Sequence, residues 1–163
     1  MPIVLDPEKQ LIAIETYFVE EVKRHGNSAF HFIRSQDDLD EWKGKGYVTE
    51  DSLSNEEVKP KKVISKIVTH WRTVSWKDNN TILSRSIRQS IRQDGTPQQE
   101  IDAISYRDLK LKTCLKRWNL TDDKGQPIEV TDKIIDSMDP TFANELLASF
   151  EKITEPSADD LKN

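Results

Sequence analysis

The chain has 163 residues, of which 35% are hydrophobic and 33% are charged, and its net charge at pH 7 is −5. This length is sufficient for one compact core, which must come from well-patterned elements because the apolar content is modest. No run approaches the roughly 20 apolar residues of a membrane span, and the N-terminus lacks the basic start and apolar stretch of a signal peptide. We therefore expect a cytoplasmic protein with no membrane partner.

The charges are segregated along the chain. Residues 1–58 carry 6 Lys or Arg against 13 Asp or Glu, residues 59–118 carry 14 against 5, and residues 119–163 carry 4 against 11. A basic middle block of +9 thus lies between two acidic blocks of −7 each. Two interpretations are open: the acidic ends neutralise the middle within the fold or between subunits, or the middle faces an acidic partner.

The first predicted element is a helix. Asp6 and Pro7 are an N-cap and a first-turn proline, and Gly26 is suited to end the helix that they begin. The apolar residues that recur at helical spacing along it are Leu11, Ile14, Phe18 and Val22. Together these signals predict an amphipathic helix with one buried face.

Three shorter elements complete the first 60 residues. Residues 29–33 alternate enough to predict a strand. The capping-box spacing at Ser35 predicts a short helix that includes Trp42. Residues 48–60 are polar and acidic and predict a surface connection.

The basic middle block predicts two helices before a turn. The apolar residues of 63–74 share one face of a helical wheel, and although their β-branched content is typical of a strand, strict alternation is missing, so we favour a helix. A capping box at Ser75 predicts a second helix, which the apolar pattern extends through Ile91. The arginines opposite its apolar face are Arg85, Arg88 and Arg92. Residues 94–97, Asp-Gly-Thr-Pro, predict a turn.

The last third predicts three further helices. Residues 101–118 carry a continuous apolar stripe and give the strongest helical pattern of the chain. Thr131 is suited to cap a short helix. Asp139 and Pro140 repeat the N-cap and first-turn proline signal, and they predict a helix with Phe142, Leu146, Phe150 and Ile153 facing inward.

These elements predict a mainly α protein with a compact helical domain and a small mixed α/β N-terminal part. We assign residues 1–60 to the acidic mixed segment and residues 61–155 to the helical domain. Residues 156–163 are polar and acidic, and we expect them to form a flexible tail.

No pattern of residues points to catalysis, a metal ion or a cofactor. The three histidines show no metal-ligand spacing, and Cys114, the only cysteine, cannot build a Cys-rich zinc site. Neither a glycine-rich phosphate loop nor a Gly-x-Ser-x-Gly motif occurs. Cys114 lies within an apolar pattern and is expected to be a buried structural thiol in a reducing compartment. We therefore expect a protein that is not an enzyme.

The candidate binding residues are two tryptophans and the arginines of one predicted helix face: Trp71, Trp76, Arg85, Arg88 and Arg92. Tryptophan is enriched at interface hot spots, although core packing is the default for Trp71 on its apolar stripe. Arginines can contact phosphates, but nucleic acid is disfavoured as a partner because the pI is about 5.3 and no aromatic residue interrupts the arginine run.

The C-terminal third contains a more specific order of motifs. A leucine-rich segment is followed by Trp-Asn-Leu, an Asp-x-x-Gly-x-Pro-Ile turn and two capped helices. The residues are Leu109–Leu115, Trp118–Leu120, Asp122–Ile128, Thr131, Ile134–Ile135, Met138–Pro140, Phe142–Ala143 and Glu145–Leu147. With the upstream segment Val74–Ile82, this order resembles the tail assembly chaperones of long-tailed bacteriophages. The resemblance covers about residues 62–155.

The resemblance implies a non-enzymatic protein of the host-cell cytoplasm. Such chaperones coat the long helical tape-measure protein, or another tail protein, before the tail tube polymerises, and then leave. Amphipathic elements that associate with one another and cover a partner's apolar stripe fit this role, and a homo-oligomer is compatible with it. The alternatives are a structural tail or neck protein of the virion and a small nucleic-acid-binding regulator.

Overall fold

The structure, a computed structural model, describes residues 10–52 and 62–155. The strands are β1 (Leu11–Val22), β2 (Ser28–Ile33), β3 (Val48–Thr49), β4 (Val63–Arg72), β5 (Ile87–Ile91), β6 (Pro97–Ile101) and β7 (Leu115–Trp118). The helices are α1 (Gln36–Gly44), α2 (Trp76–Ser86), α3 (Ala103–Cys114), α4 (Asp132–Asp136) and α5 (Pro140–Thr154). Of the described residues, 40% are helical and 34% are in strands, so the fold is mixed α/β and the prediction of a mainly α fold is wrong.

Five of the strands form one mostly antiparallel sheet in the order β2–β1–β4–β3. β3 runs parallel to the start of β4, and β7 pairs antiparallel with its end. β1 precedes residue 60 and β4 follows it, and the two strands pair along almost their whole length. The sheet therefore joins the acidic N-terminal segment and the following segment in one core. The predicted tail, residues 156–163, lies outside the described residues.

Two segments predicted as helices are strands. β1 replaces the helix predicted after Pro7, and β4 replaces the helix predicted over residues 63–74. The reason is that β4 has buried side chains on both faces. Ile64 lies on one face beside its partner Val19, Ile67 lies on the other face, and all three side chains are buried. Burial on both faces removes the alternation that identifies a strand, and the remaining spacing of three resembles a helix.

The core lies between one face of the sheet and α5. Trp71 is completely buried, and its indole stacks on the ring of Phe150 with centroids 4.6 Å apart. Its Nε1 donates a hydrogen bond to Thr69 Oγ1 at 2.8 Å. Leu146 and Phe142, one and two turns earlier in α5, are also buried, as predicted, but Ile153 is exposed. Trp71 is therefore a central core residue.

Four helix starts were predicted correctly, but two helix ends were not. The predicted N-caps Ser35, Ser75, Thr131 and Asp139 are all observed, whereas Asp102, the N-cap of α3, was not predicted. α2, however, ends at Ser86, and the residues to Ile91 form β5. Likewise α3 ends at Cys114, and residues 115–118 form β7, where Leu115 pairs with Trp71 of the sheet. Both helices end where their next residues enter a β-ladder, β5 with the nearby β6 and β7 with the distant β4.

We expect Ser75→Ala to lower the free energy of unfolding by about 1 kcal/mol. Ser75 Oγ accepts a hydrogen bond from Asp78 N at 3.2 Å and donates one to the Asp78 carboxylate at 2.7 Å. The bond from Ser75 lowers the pKa of Asp78, with a further contribution from Arg72. The stabilisation that the ionised Asp78 gives is present above the ordinary Asp pKa and is lost as the pH falls through the lowered value. Urea unfolding of both proteins at pH 7 measures the loss caused by Ser75→Ala, and the same comparison at pH 3 measures how much of that loss depends on the ionised carboxylate. An unchanged unfolding midpoint at pH 7 would contradict the capping role of Ser75.

Candidate protein-binding site

A β-hairpin between α2 and α3 is exposed at most positions and has no buried residue in either strand. Within the described ranges, β5 and β6 pair only with each other, in the register Ile87↔Ile101 through Ile91↔Pro97. Asp102 N donates a hydrogen bond to Ser86 O at 2.7 Å and closes the base of the hairpin. We call residues 87–101 the arm. Because α2 and α3 pack against each other, the arm is held at one end of a helix pair.

The tip of the arm is an ordered three-residue turn. Arg92 N donates to Thr96 O at 2.9 Å, and Gly95 N donates to Arg92 O at 2.9 Å. Gly95 has a φ of 84°, the left-handed conformation that ends this type of turn and that favours glycine. The Asp94 carboxylate accepts from Thr96 Oγ1 and Thr96 N, and these bonds lower its pKa. The tip therefore presents its side chains from a defined backbone.

One face of the arm carries its three isoleucines, with Gln89 and Gln99 paired between them. Because side chains alternate along paired strands, Ile87, Ile91, Pro97 and Ile101 share a face. Ile91 is 77% exposed, and Ile87 and Ile101 are nearly half exposed. Ile104, just beyond the arm in the first turn of α3, is 79% exposed. A cluster of exposed isoleucines at one end of a folded unit is typical of a surface that another macromolecule covers.

The opposite face of the arm is polar and internally paired. Arg88 Nε donates to Glu100 at 2.8 Å, and Arg92 Nε donates to the side-chain oxygen of Gln98 at 2.7 Å. These cross-strand contacts use the guanidinium groups to stabilise the hairpin. Arg88 therefore has its charge largely compensated, whereas Arg92 is bonded to an amide.

The structure brings together only some of the predicted binding residues. Arg88 and Arg92 lie on the arm and Arg85 is exposed in the last turn of α2, so the continuous helical arginine face does not exist. Trp76 is 81% exposed but is the first residue of α2, about 15 Å of helix from the arm. Trp71 is buried in the core and cannot contact a partner.

Sequence reasoning missed the exposed isoleucines because it assigned them to helices with a buried face. The available signal was the Asp94-Gly95 pair, which is a strong indication of a β-hairpin when it lies between two strand-like segments. The flanking segments, residues 87–91 and 97–101, do not alternate apolar and polar residues, so the signal was incomplete. Arg85, Arg88 and Arg92 recur at spacings of three and four residues, which are typical of a helix and therefore masked the hairpin.

A second surface feature is a small pocket on the core side of β1 and β2. Its walls are apolar, and its volume is about 260 Å³. Those walls consist of Phe18, Phe30, Leu120, Met138 and Phe142. The rings of Phe18 and Phe30 both meet Phe142 edge-on, with centroids 5.0 and 5.2 Å apart. Two carboxylate residues, Glu20 and Asp139, complete its lining. We call it the aromatic pocket.

Cys114 should not react with a thiol reagent in the folded protein. It is completely buried, and burial raises the pKa of its thiol to about 11. Since the thiolate is the nucleophile, both accessibility and ionisation oppose alkylation at pH 8. We expect iodoacetamide to leave the native mass unchanged over hours and to add one label in denaturing urea. Rapid native labelling would contradict the buried structural role of this residue.

The described ranges contain no group of three or more His, Cys, Asp or Glu side chains placed to hold a metal ion. Among the helices in these ranges, none is both long and apolar enough to cross a bilayer. The chain matches no protein-family model, no curated protein and no solved structure. The candidate site is therefore defined by its geometry, and the arm is its clearest feature.

Proposed function

We propose that this protein is a non-enzymatic assembly protein of a long-tailed bacteriophage, and that its arm binds an apolar stretch of the tape-measure protein during tail formation. The observation that carries the proposal is the cluster of exposed isoleucines. Ile101 pairs with Ile87 at the base of the arm, and Ile104 follows in α3. These side chains form a ready apolar surface that costs little conformational entropy to use, because the backbone beneath them is already ordered.

The chemistry of the arm fits an amphipathic helix better than a polar surface. An amphipathic partner helix presents apolar side chains every three or four residues, which can pack between the isoleucines. Gln89 and Gln99, paired across the middle of the same face, can hydrogen-bond the polar margins of such a helix. The polar face, where Arg88 meets Glu100, stays in water.

The resemblance to tail assembly chaperones supplies the identity of the partner. Its motif residues begin in the second half of α3 and continue through β7, the turn that ends near Pro127, and the capped starts of α4 and α5. The upstream segment, Val74–Ile82, leads into α2. β7 joins the end of α3 to the sheet through its pairing with β4. The motif therefore lies in the part of the fold to which the arm is attached. The arm itself supplies the contact surface.

Co-expression tests the proposal. A tape-measure chain of the phage that encodes this protein is produced with and without it, and the soluble fraction is measured. We expect the tape-measure chain to become soluble and to co-purify with this protein. If the chain stays insoluble and unbound, the proposed function is wrong.

The virion alternative has its own readout. A structural tail or neck protein remains in purified phage particles, whereas an assembly chaperone leaves before maturation. Detection of this chain at constant stoichiometry in purified particles would favour the structural role. A nucleic-acid regulator instead requires free cations, and the pairing of Arg88 with Glu100 disfavours it.

A further inference from the structure

One edge of β1 has no neighbouring strand over half of its length. Among the described residues, Tyr17–Val22 pair with β2, whereas Leu11–Thr16 pair only with β4, on the other side. β2 ends at Ile33, and the chain then enters α1. The sheet is therefore open beside the first half of β1. We call this side of Leu11–Thr16 the open edge.

The backbone of the open edge is ready to pair with another strand. Ile14 O accepts a hydrogen bond from Thr69 Oγ1 of β4 at 3.3 Å, so the polar backbone groups of Ile14 face β4. Because neighbouring residues of an antiparallel strand direct these groups to opposite sides, the N–H and C=O groups of Ala13 and Glu15 face the open edge. Neither residue pairs there with a described residue. A row of unpaired backbone groups is a template for a further strand.

A mainly apolar groove lies between the open edge and α5. Its volume is about 520 Å³, and its apolar walls include Ile14, Ala148 and Ile153. Ile153 is 58% exposed, although it continues the stripe of α5 that starts at Phe142 and is otherwise buried. Among the described residues, the stripe therefore ends without a covering strand at the place where the sheet is open.

The groove has no net charge. Arg34 donates two hydrogen bonds to the carboxylate of Glu145, at 2.6 and 2.9 Å, and the other charged residues of the lining are Glu15 and Lys152. Two cationic side chains are thus balanced by two carboxylates. Such a groove suits an uncharged apolar segment better than a charged one.

The residues that precede β1 supply a segment of this kind. Residues 3–5, which lie outside the described ranges, are Ile-Val-Leu, and their composition is typical of a strand. Residues 6–10 are Asp-Pro-Glu-Lys-Gln, whose polarity and proline are typical of a loop. Since residue 10 leads directly into Leu11, a loop of this length can join residues 3–5 to β1 as a hairpin.

We propose that residues 3–5 add to the open edge as a short antiparallel strand, with the Val4 side chain in the groove against Ile153. A five-residue loop places Ile3 opposite Ala13. Ile3 then exchanges backbone hydrogen bonds with Ala13, whose polar groups face the open edge. The added strand continues the line of β2 along β1 and covers the exposed end of the α5 stripe.

Two features of the sequence fit this register. Val4 lies opposite Ile12, and because paired residues share a face of the sheet, Val4 points to the core as Ile12 does. Pro2 lies opposite Ile14, whose polar groups face β4, so the proline nitrogen, which carries no hydrogen, points away from β1. Proline is tolerated in an edge strand at such a position.

The role of the added strand is to close the sheet. Open edges pair with the edges of other chains, and covering them protects a protein from aggregation. This surface is separate from the isoleucines of the arm. The proposal therefore goes beyond the proposed function and holds whether or not a tape-measure chain binds the arm.

Disulfide trapping in the full chain tests the register. The variant Ile3→Cys, Ala13→Cys places two thiols in a hydrogen-bonded pair, where Cα atoms lie about 5.5 Å apart and a disulfide can form. The matched control is Ile3→Cys, Glu21→Cys, because Glu21 lies on the same face of β1 about 26 Å further along the strand. Under mild oxidation we expect a disulfide within one chain in the first variant and none in the second. Cys114, the only native cysteine, is buried and does not compete.

Hydrogen exchange tests whether the added strand protects the open edge. Val4→Asp places a charge in the groove, so the amide of Ala13 should exchange at least about tenfold faster than in the unaltered protein. The amide of Ile14 faces β4 and should exchange equally in both. Ile3→Asp is the matched variant, because its side chain points away from the groove and should leave Ala13 protected. Circular dichroism spectra confirm that each variant is folded.

Three results would overturn the proposal. One is a disulfide between two chains, since a second copy would then supply the strand. Another is a disulfide that forms equally at residues 13 and 21, or at neither. The third is an Ala13 amide that exchanges at the same rate in the unaltered protein and in Val4→Asp. Each result is independent of the co-expression test.

Discussion

Replacing Trp71 with alanine should lower the free energy of unfolding by about 3–5 kcal/mol. The side chain is completely buried, stacks on Phe150 and donates a hydrogen bond to Thr69. The substitution removes the largest buried side chain, opens a cavity between the sheet and α5, and leaves a buried hydroxyl with one partner fewer. Since domains of this size are stable by about 5–15 kcal/mol, the loss is a large part of the total.

Trp76→Ala is the matched control for this substitution. Trp76 is 81% exposed at the start of α2, and its removal should change stability by less than about 0.5 kcal/mol. Urea unfolding followed by far-ultraviolet circular dichroism compares the two variants. Similar midpoints for both variants would contradict the placement of Trp71 at the centre of the core.

Lys110→Glu should also lower the free energy of unfolding by about 3–5 kcal/mol. Lys110 of α3 is only 4% exposed. Its Nζ lies 3.3 Å from the carboxylate of Glu151, in the last turn of α5, and contacts the carboxylate of Glu155, just after that helix. Burial opposes the charged form, but the bond to Glu155 and the nearby carboxylates outweigh it and raise the pKa of Lys110. A glutamate at this position would bring a third carboxylate into a partly buried cluster.

The pH dependence separates this electrostatic effect from a packing effect. Because the pKa of Lys110 is raised on folding, its stabilisation is complete below the unfolded lysine value and is lost as the pH rises through the folded value. In Lys110→Glu, protonation of the carboxylates below about pH 4 should relieve part of the loss. Lys110→Met keeps the aliphatic stem and should cost much less. Equal losses in the two variants at pH 7 would show that packing dominates.

The parts of the fold that were predicted correctly depend on local chemistry. Ser35, Ser75, Thr131 and Asp139 each cap a helix by accepting a bond from the backbone N–H three positions later, so the sequence around each cap is sufficient. The turn at Gly95 is also local. These signals could be found without knowing which distant segment packs nearby.

The strand predicted over residues 29–33 is confirmed as β2. The other strands were missed because their identity depends on their partners in the sheet. Ile64 and Ile67 are buried on opposite faces of β4 by different neighbours, so the local pattern does not show the alternation of a strand. The arm was missed for a related reason. Ile87 and Ile91 have helical spacing from Leu83, and only their pairing with residues 97–101 makes them a strand.

The difference between a helix and a hairpin decides which side chains of residues 87–92 a partner can contact. A helix through Ile91 would have buried its isoleucines and exposed its arginines. The hairpin instead exposes Ile91 and pairs Arg88 with Glu100. The exposed apolar arm therefore provides the evidence for a binding function.

The central claim is that the exposed isoleucines of the arm and of the first turn of α3 bind a partner protein. It is tested most directly by the affinity of a variant in this surface for a soluble tape-measure fragment. Ile104→Asp removes an exposed apolar side chain from the second residue of α3, where a carboxylate is favourable to the helix. Val22→Asp makes the same kind of change at an exposed residue of β1 outside the arm. In isothermal titration calorimetry, we expect Ile104→Asp to weaken binding at least about tenfold and Val22→Asp to leave it unchanged. Equal affinities for the unaltered protein and both variants would contradict the claim.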